Sequence, residues 1–183
     1  GVPGQSVSFS ATVSNTGPGA ASNFPNIFQI ADSAITSTVA MVNAGTVPSL
    51  APSASSGLSG SYAFSSQGSY NVRACANFNT SWGGSVSESN PNNNCGAWLP
   101  LAVSYPALSV SCSGAPGSPF VGQSVTWSAS ASGGSGSRTY FWSGDEGLSG
   151  ATASVQKSYT SVGQKQATIS VSDPVSGQNA SNT

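Results

Sequence analysis

One strand is written twice in this chain, and that repetition limits the fold more than any other feature. Gly4-Gln5-Ser6-Val7-Ser8-Phe9-Ser10-Ala11 recurs 118 residues later as Gly122-Gln123-Ser124-Val125-Thr126-Trp127-Ser128-Ala129. In both copies Val, an aromatic ring and Ala occupy alternate positions, the period of a strand that buries one face. A second echo pairs Phe64-Ser65-Ser66-Gln67-Gly68 with Tyr159-Thr160-Ser161-Val162-Gly163, 95 residues apart. Each is followed by an alternating run: Tyr70, Val72 and Ala74 in one, Ala167, Ile169 and Val171 in the other. Echoes at unequal offsets mean two related modules whose middle segments differ in length, the longer in the first.

A chain of 183 residues holds two sandwiches of roughly 80–100 residues each. Residues 99–103 read as the last strand of the first module, 104–106 as a short linker, and Leu108, Val110 and Cys112 as the first strand of the second. Turn clusters such as Asn15-Thr16-Gly17-Pro18-Gly19, Ser132-Gly133-Gly134-Ser135-Gly136 and Asp173-Pro174 separate the strands, and no segment sustains a helical period. The expectation is an all-β chain of two tandem immunoglobulin-like β-sandwich domains, residues 1–105 and 106–183. The first begins almost directly on its second strand. The second is expected to be truncated at its last strand.

Composition narrows the functional classes. Only 5% of residues are charged, with four cations, five anions and no His, so no basic patch exists for nucleic acid. Hydrophobic residues reach 37%, including 4 Trp, 5 Tyr and 7 Phe, which is enough to build cores and excludes a disordered polar tract. No apolar run approaches the ~20 residues of a membrane span, and no signal-peptide pattern is present. Starting at Gly1 without Met, the chain reads as mature or cropped material. Scarce charge also leaves sheet edges without their usual protection. Pro and Gly at edges, a sugar coat or permanent pairing with neighbouring chains must replace it.

Two family resemblances rest on these segments. Residues 1–103 resemble the CARDB domain (cell adhesion related domain found in bacteria). The resemblance runs through Val7-Ser8-Phe9-Ser10-Ala11-Thr12-Val13-Ser14-Asn15-Thr16-Gly17, Tyr70-Asn71-Val72-Arg73-Ala74-Cys75-Ala76 and Glu88-Ser89-Asn90 to Asn92-Asn93-Asn94-Cys95. The second module resembles the polycystic kidney disease (PKD) domain through Gly122 to Trp127, Tyr140-Phe141-Trp142-Ser143-Gly144-Asp145 and Ala167 to Asp173. The usual Gly-Asp-Gly turn is replaced by Gly144-Asp145-Glu146-Gly147. Both resemblances imply immunoglobulin-type sandwiches of exported proteins and adhesins, and neither implies a reaction.

Candidate chemistry is sparse. Cys75, Cys95 and Cys112 fit an oxidising compartment better than a zinc site, which would want four ligands and has no His to draw on. The CARDB resemblance implies a Cys75–Cys95 bridge across the last two strands of the first module, stabilising by roughly 3 kcal/mol through its loop of about twenty residues. Two buried free thiols are the alternative. Cys112 is then left over. In similar tandem modules such a cysteine pairs with one on the last strand, so its partner is expected outside residues 1–183, with a free reactive thiol as the alternative. Asp145 and Glu146 point apart on an extended chain, which suits a solvated turn rather than a glycosidase pair or a Ca²⁺ site. Neither metal nor cofactor is expected. Asn79-Thr80-Ser81 and Asn179-Ala180-Ser181 match the glycosylation pattern, making Asn79 and Asn179 candidate acceptors. Trp82, in a Gly-rich loop, is the candidate contact for a sugar or a neighbouring chain, although a loop Trp folded over its own core is the commoner arrangement.

These features predict a non-catalytic structural unit of an extracellular or cell-surface filament or stalk. The alternatives are an adhesin or carbohydrate-binding module of a secreted or surface-anchored protein, or an accessory segment of a secreted hydrolase. The expected partners are neighbouring copies or adjoining modules of the same protein, which supply the missing strands and join head to tail, together with glycans. Such a chain is not expected to be stable alone.

Overall fold

The computed structural model describes residues 1–78, 85–88 and 90–183. The chain is all-β and divides into two compact units, Gly1–Ser104 and Tyr105–Thr183.

Among the described residues, six strands build the first unit: β1 (Ser6–Ser14), β2 (Ala21–Asp32), β3 (Thr38–Leu50), β4 (Ser55–Ala63), β5 (Gly68–Cys75) and β6 (Leu99–Val103). They form an antiparallel sheet in the order β3-β2-β5-β6 and a two-stranded sheet, β1-β4. The alternation in β1 does what its spelling requires: Val7, Phe9, Ala11 and Val13 pack against the core while the intervening Ser and Thr face outward. The core centres on Phe24, Phe28, Ile30 and Phe64. Phe9 and Phe28 approach to 5.6 Å between ring centroids; Tyr62 meets Phe64 edge to face at 4.9 Å, and Phe64 meets Tyr70 at a tilt at 4.6 Å. Gly60 faces this cluster, where an added Cβ would come within 3.1 Å of both Phe28 and Val42.

Seven strands build the second unit: β7 (Ser109–Ala115), β8 (Ser124–Ser132), β9 (Thr139–Gly144), β10 (Leu148–Gly150), β11 (Ser154–Ser158), β12 (Ala167–Asp173) and β13 (Gln178–Asn182). Their sheets run β11-β8-β7 and β10-β9-β12-β13. The core is Trp142, Leu148, Ala167, Ile169 and Val171. Trp142 is 0% exposed and satisfies its indole N–H on the carbonyl of Thr152 at 2.9 Å, as a buried indole must.

The last strand, expected to be truncated, is represented by Gln178–Asn182. Five residues of that strand, β13, pair with Ile169–Asp173 of β12. Its sequence, Gln-Asn-Ala-Ser-Asn, carries no apolar alternation because it is an edge strand held mainly by backbone hydrogen bonds.

The two echoes meet in space within each unit. Gly4 donates its amide to the carbonyl of Phe64 at 2.7 Å, and Gly122 donates to Tyr159 at 2.9 Å. The turns before them also match, Gln5 donating to Val2 at 3.1 Å and Gln123 to Phe120 at 2.9 Å. Gly4 and Gly122 hold φ of +79° and +82°, a conformation that costs glycine nothing. The duplication is thus one of structure as well as of spelling, with a buried Phe64 or Tyr159 closing the same corner.

Candidate functional site

With so few charges, the position of each one decides what chemistry the chain can perform. All five carboxylates accept hydrogen bonds from their own unit. Asp32 ties the β2–β3 turn, accepting the amide and hydroxyl of both Thr36 and Ser37. Hydrogen bonds from Ser37 and Thr36 hold its pKa below the ordinary carboxylate range. Glu88 accepts from the Asn77 side-chain amide. Asp145 accepts the amide of Gln166 at 2.8 Å.

Glu146 does the most. Its φ of +50° turns the side chain back over the β11–β12 loop, where it accepts from the amides and hydroxyls of Thr160 and Ser161 and pairs with Lys165 at 2.7 Å. Lys165 and Ser161 lead the groups that hold its pKa low. Asp173, 1% exposed, accepts from Ser135, Val175 and Ser176. Burial opposes its ionisation, but these hydrogen bonds outweigh burial and lower the pKa. Asp145 and Glu146 therefore clasp one loop rather than standing as a solvated turn. Among the described residues no three His, Cys, Asp or Glu side chains converge as a metal ion would require.

Cys75 and Cys95 are joined by a disulfide between β5 and the segment leading to β6. Cys112, on β7, is free and half-buried. Its thiol donates to the Asn182 side-chain oxygen at 3.2 Å, and burial pushes its pKa up, away from thiolate reactivity. Asn179 lies exposed on β13, accepting from the Ser172 hydroxyl at 2.6 Å. Asn79 and Trp82 fall outside the described residues.

Sequence reasoning missed a stack on the outer face of the β3-β2-β5-β6 sheet. Arg73 of β5 lies 4.3 Å over the Trp98 ring and donates its Nε–H to Gln29 of β2 at 2.9 Å. Partial burial lowers the Arg73 pKa. Only the cross-strand register could reveal this stack, since 44 residues separate Arg73 from Gln29.

Strand β1, where the first module was expected to begin on its second strand, has an edge that no described strand covers. The Asn15 amide donates toward β4, to Ala54 at 2.9 Å. Alternation along β1 therefore turns the amides of Ser8, Ser10 and Thr12 to the opposite edge. There β1 pairs with no described strand, whereas its twin β8 is paired on both sides, by β11 and β7.

Residues 1–97 match the CARDB family. No curated protein matches the chain. Among solved structures, an amphioxus IgVJ-C2 molecule aligns over all of this chain and 96% of its own, at 13% identity and a TM-score of 0.38. The mouse nectin-like molecule 4 ectodomain (Ig1–Ig3) aligns over all of this chain at 12% identity and a TM-score of 0.37. A C-terminal fragment of intimin, in complex with the intimin-binding domain of its translocated receptor, aligns over 97% at 14% identity and a TM-score of 0.31. The chain spans 59% and 56% of the length of these last two.

Proposed function

Because the chain belongs to the CARDB family through residues 1–97, we propose that it is a non-catalytic structural unit of an extracellular filament or cell-surface stalk. The observation that carries this reading is the edge of β1, unpaired among the described residues, where its twin in the second unit is paired on both sides. An edge of free N–H and C=O groups, without the Lys residues that usually guard one, is a template for a strand from a neighbour. The carboxylates support the non-catalytic part, since each is engaged in holding a loop. The disulfide supports an oxidising, extracellular setting. Assignment of residues 106–183 to a PKD-like module belongs to the same proposal, supported by seven antiparallel strands in two sheets around a buried Trp142.

Amide hydrogen exchange tests the edge directly. Ser8, Ser10 and Thr12 should exchange fast in dilute protein and become protected at concentrations where it assembles. Equal exchange in both conditions would remove the basis of the reading.

The Arg73–Trp98 stack favours a second reading, an adhesin or carbohydrate-binding module. Sugars bind on aromatic faces beside planar donors, and Trp98 is half-buried with the Arg73 guanidinium over one face of its ring. Glycan-array binding that disappears in Trp98→Ala would support it, and absence of any binding would remove it.

A further inference from the structure

The first unit carries a single cationic side chain. Among residues 1–104 it is Arg73, and the only carboxylates there are Asp32 and Glu88. Neither pairs with it. Asp32 is tied into the β2–β3 turn by Thr36 and Ser37, and Glu88 accepts from Asn77. A half-buried guanidinium without a counter-charge carries a desolvation cost that nothing in its own unit offsets.

The guanidinium is nonetheless fixed from two sides. Gln29, 4% exposed, donates its side-chain amide to the Thr38 hydroxyl at 3.2 Å. That bond sets the orientation of the amide and turns its oxygen to the Arg73 Nε–H at 2.9 Å. Trp98 lies against the guanidinium at 4.3 Å. With Nε occupied, both Nη groups remain, and neither donates to a described residue. What is left is the end-on fork, the geometry in which an arginine receives both oxygens of a carboxylate. A fork already held by its neighbours loses little freedom on binding, so little affinity is lost to ordering it.

Beside the fork runs an apolar strip. Pro100 of β6 pairs with Asn71 of β5, two residues before Arg73, so strand alternation puts Pro100 on the same outward face as Arg73 and Trp98. Pro100 is exposed and Trp98 half-buried. Such a strip suits a sugar ring better than a peptide, because Pro100 takes an amide donor out of edge strand β6 and hinders strand addition there.

Resting on the reading of Arg73 and Trp98 as a carbohydrate contact, we infer that the outer face of the β3-β2-β5-β6 sheet binds an acidic saccharide. The carboxylate of a uronic acid residue seats end-on against Nη1 and Nη2 of Arg73, and its ring lies along Trp98 and Pro100.

Titration of ¹⁵N-labelled protein with tetragalacturonate, neutral galactotetraose and a hexaglutamate peptide tests this, read at the Arg73 Nε–H and Trp98 indole N–H resonances. Tetragalacturonate should shift both, less strongly as salt is added, and should bind roughly tenfold or more tighter than galactotetraose. Arg73→Lys keeps the charge and loses the fork. With the remaining amide resonances in place, it should weaken tetragalacturonate binding by roughly tenfold. Equal binding of hexaglutamate overturns the saccharide in favour of an acidic peptide. Galactotetraose binding as tightly as tetragalacturonate, with no effect of Arg73→Lys, overturns the carboxylate contact while leaving the carbohydrate reading in place. No shift with tetragalacturonate overturns the inference, and the carbohydrate reading falls with it only if the glycan array is silent too.

Discussion

Reducing the Cys75–Cys95 bond offers the most quantitative check on how the first unit is held together. The bridge spans 20 residues, and closing such a loop restricts the unfolded chain by about 11 cal/mol/K, or roughly 3 kcal/mol at 25 °C. Unfolding the 104 residues of Gly1–Ser104 gains about 2.1 cal/mol/K per residue, roughly 220 cal/mol/K in all. Loss of the bridge should therefore lower the melting temperature of this unit by about 15 °C. Differential scanning calorimetry of the Cys112→Ser protein, with and without reductant, measures the shift without interference from the free thiol. The transition of the second unit should stay in place, because the bridge lies within the first. A shift below about 5 °C in the first unit, or an equal shift in both, would refute the loop-entropy argument.

Four other outcomes follow from the packing and the hydrogen bonds. Trp142→Ala should destabilise the second unit by about 3–5 kcal/mol in urea titrations; a loss under 1 kcal/mol would mean that the ring is not its keystone. Gly133→Ala places a Cβ 1.9 Å from the Ala107 carbonyl oxygen at a φ of +78°, and should cost the second unit about 1–3 kcal/mol. Gly19→Ala, in open space, should change stability by less than about 0.5 kcal/mol. Asp32, Glu146 and Asp173 have folded-state pKa values below their unfolded ones. Their stabilisation is complete above the unfolded values near 4 and is lost as pH falls below them. Melting temperature should thus drop as pH is lowered from about 5 to 2, less steeply in Glu146→Gln/Asp173→Asn; an identical slope would contradict the loop-holding role.

Much of the fold was legible because burial repeats every two residues. Val7, Phe9 and Ala11 announce β1, Val125, Trp127 and Ala129 announce β8, and the fixed echoes tie both to the corners at Phe64 and Tyr159. β13 was not legible, since an edge strand of Gln, Asn and Ser needs no periodic apolar face. Glu146 was also opaque. Its partners Thr160, Ser161 and Lys165 lie 14 to 19 residues away, in a loop whose approach depends on the sandwich being built first. The same holds for Arg73 and Trp98, which meet only once β5 and β6 pair in register.

Negative-stain electron microscopy of purified protein across a concentration series tests the central claim most directly. The account predicts unbranched filaments that lengthen with concentration, as open heterologous contacts require. A field of monodisperse particles at every concentration, with the β1 edge still exposed, would contradict it.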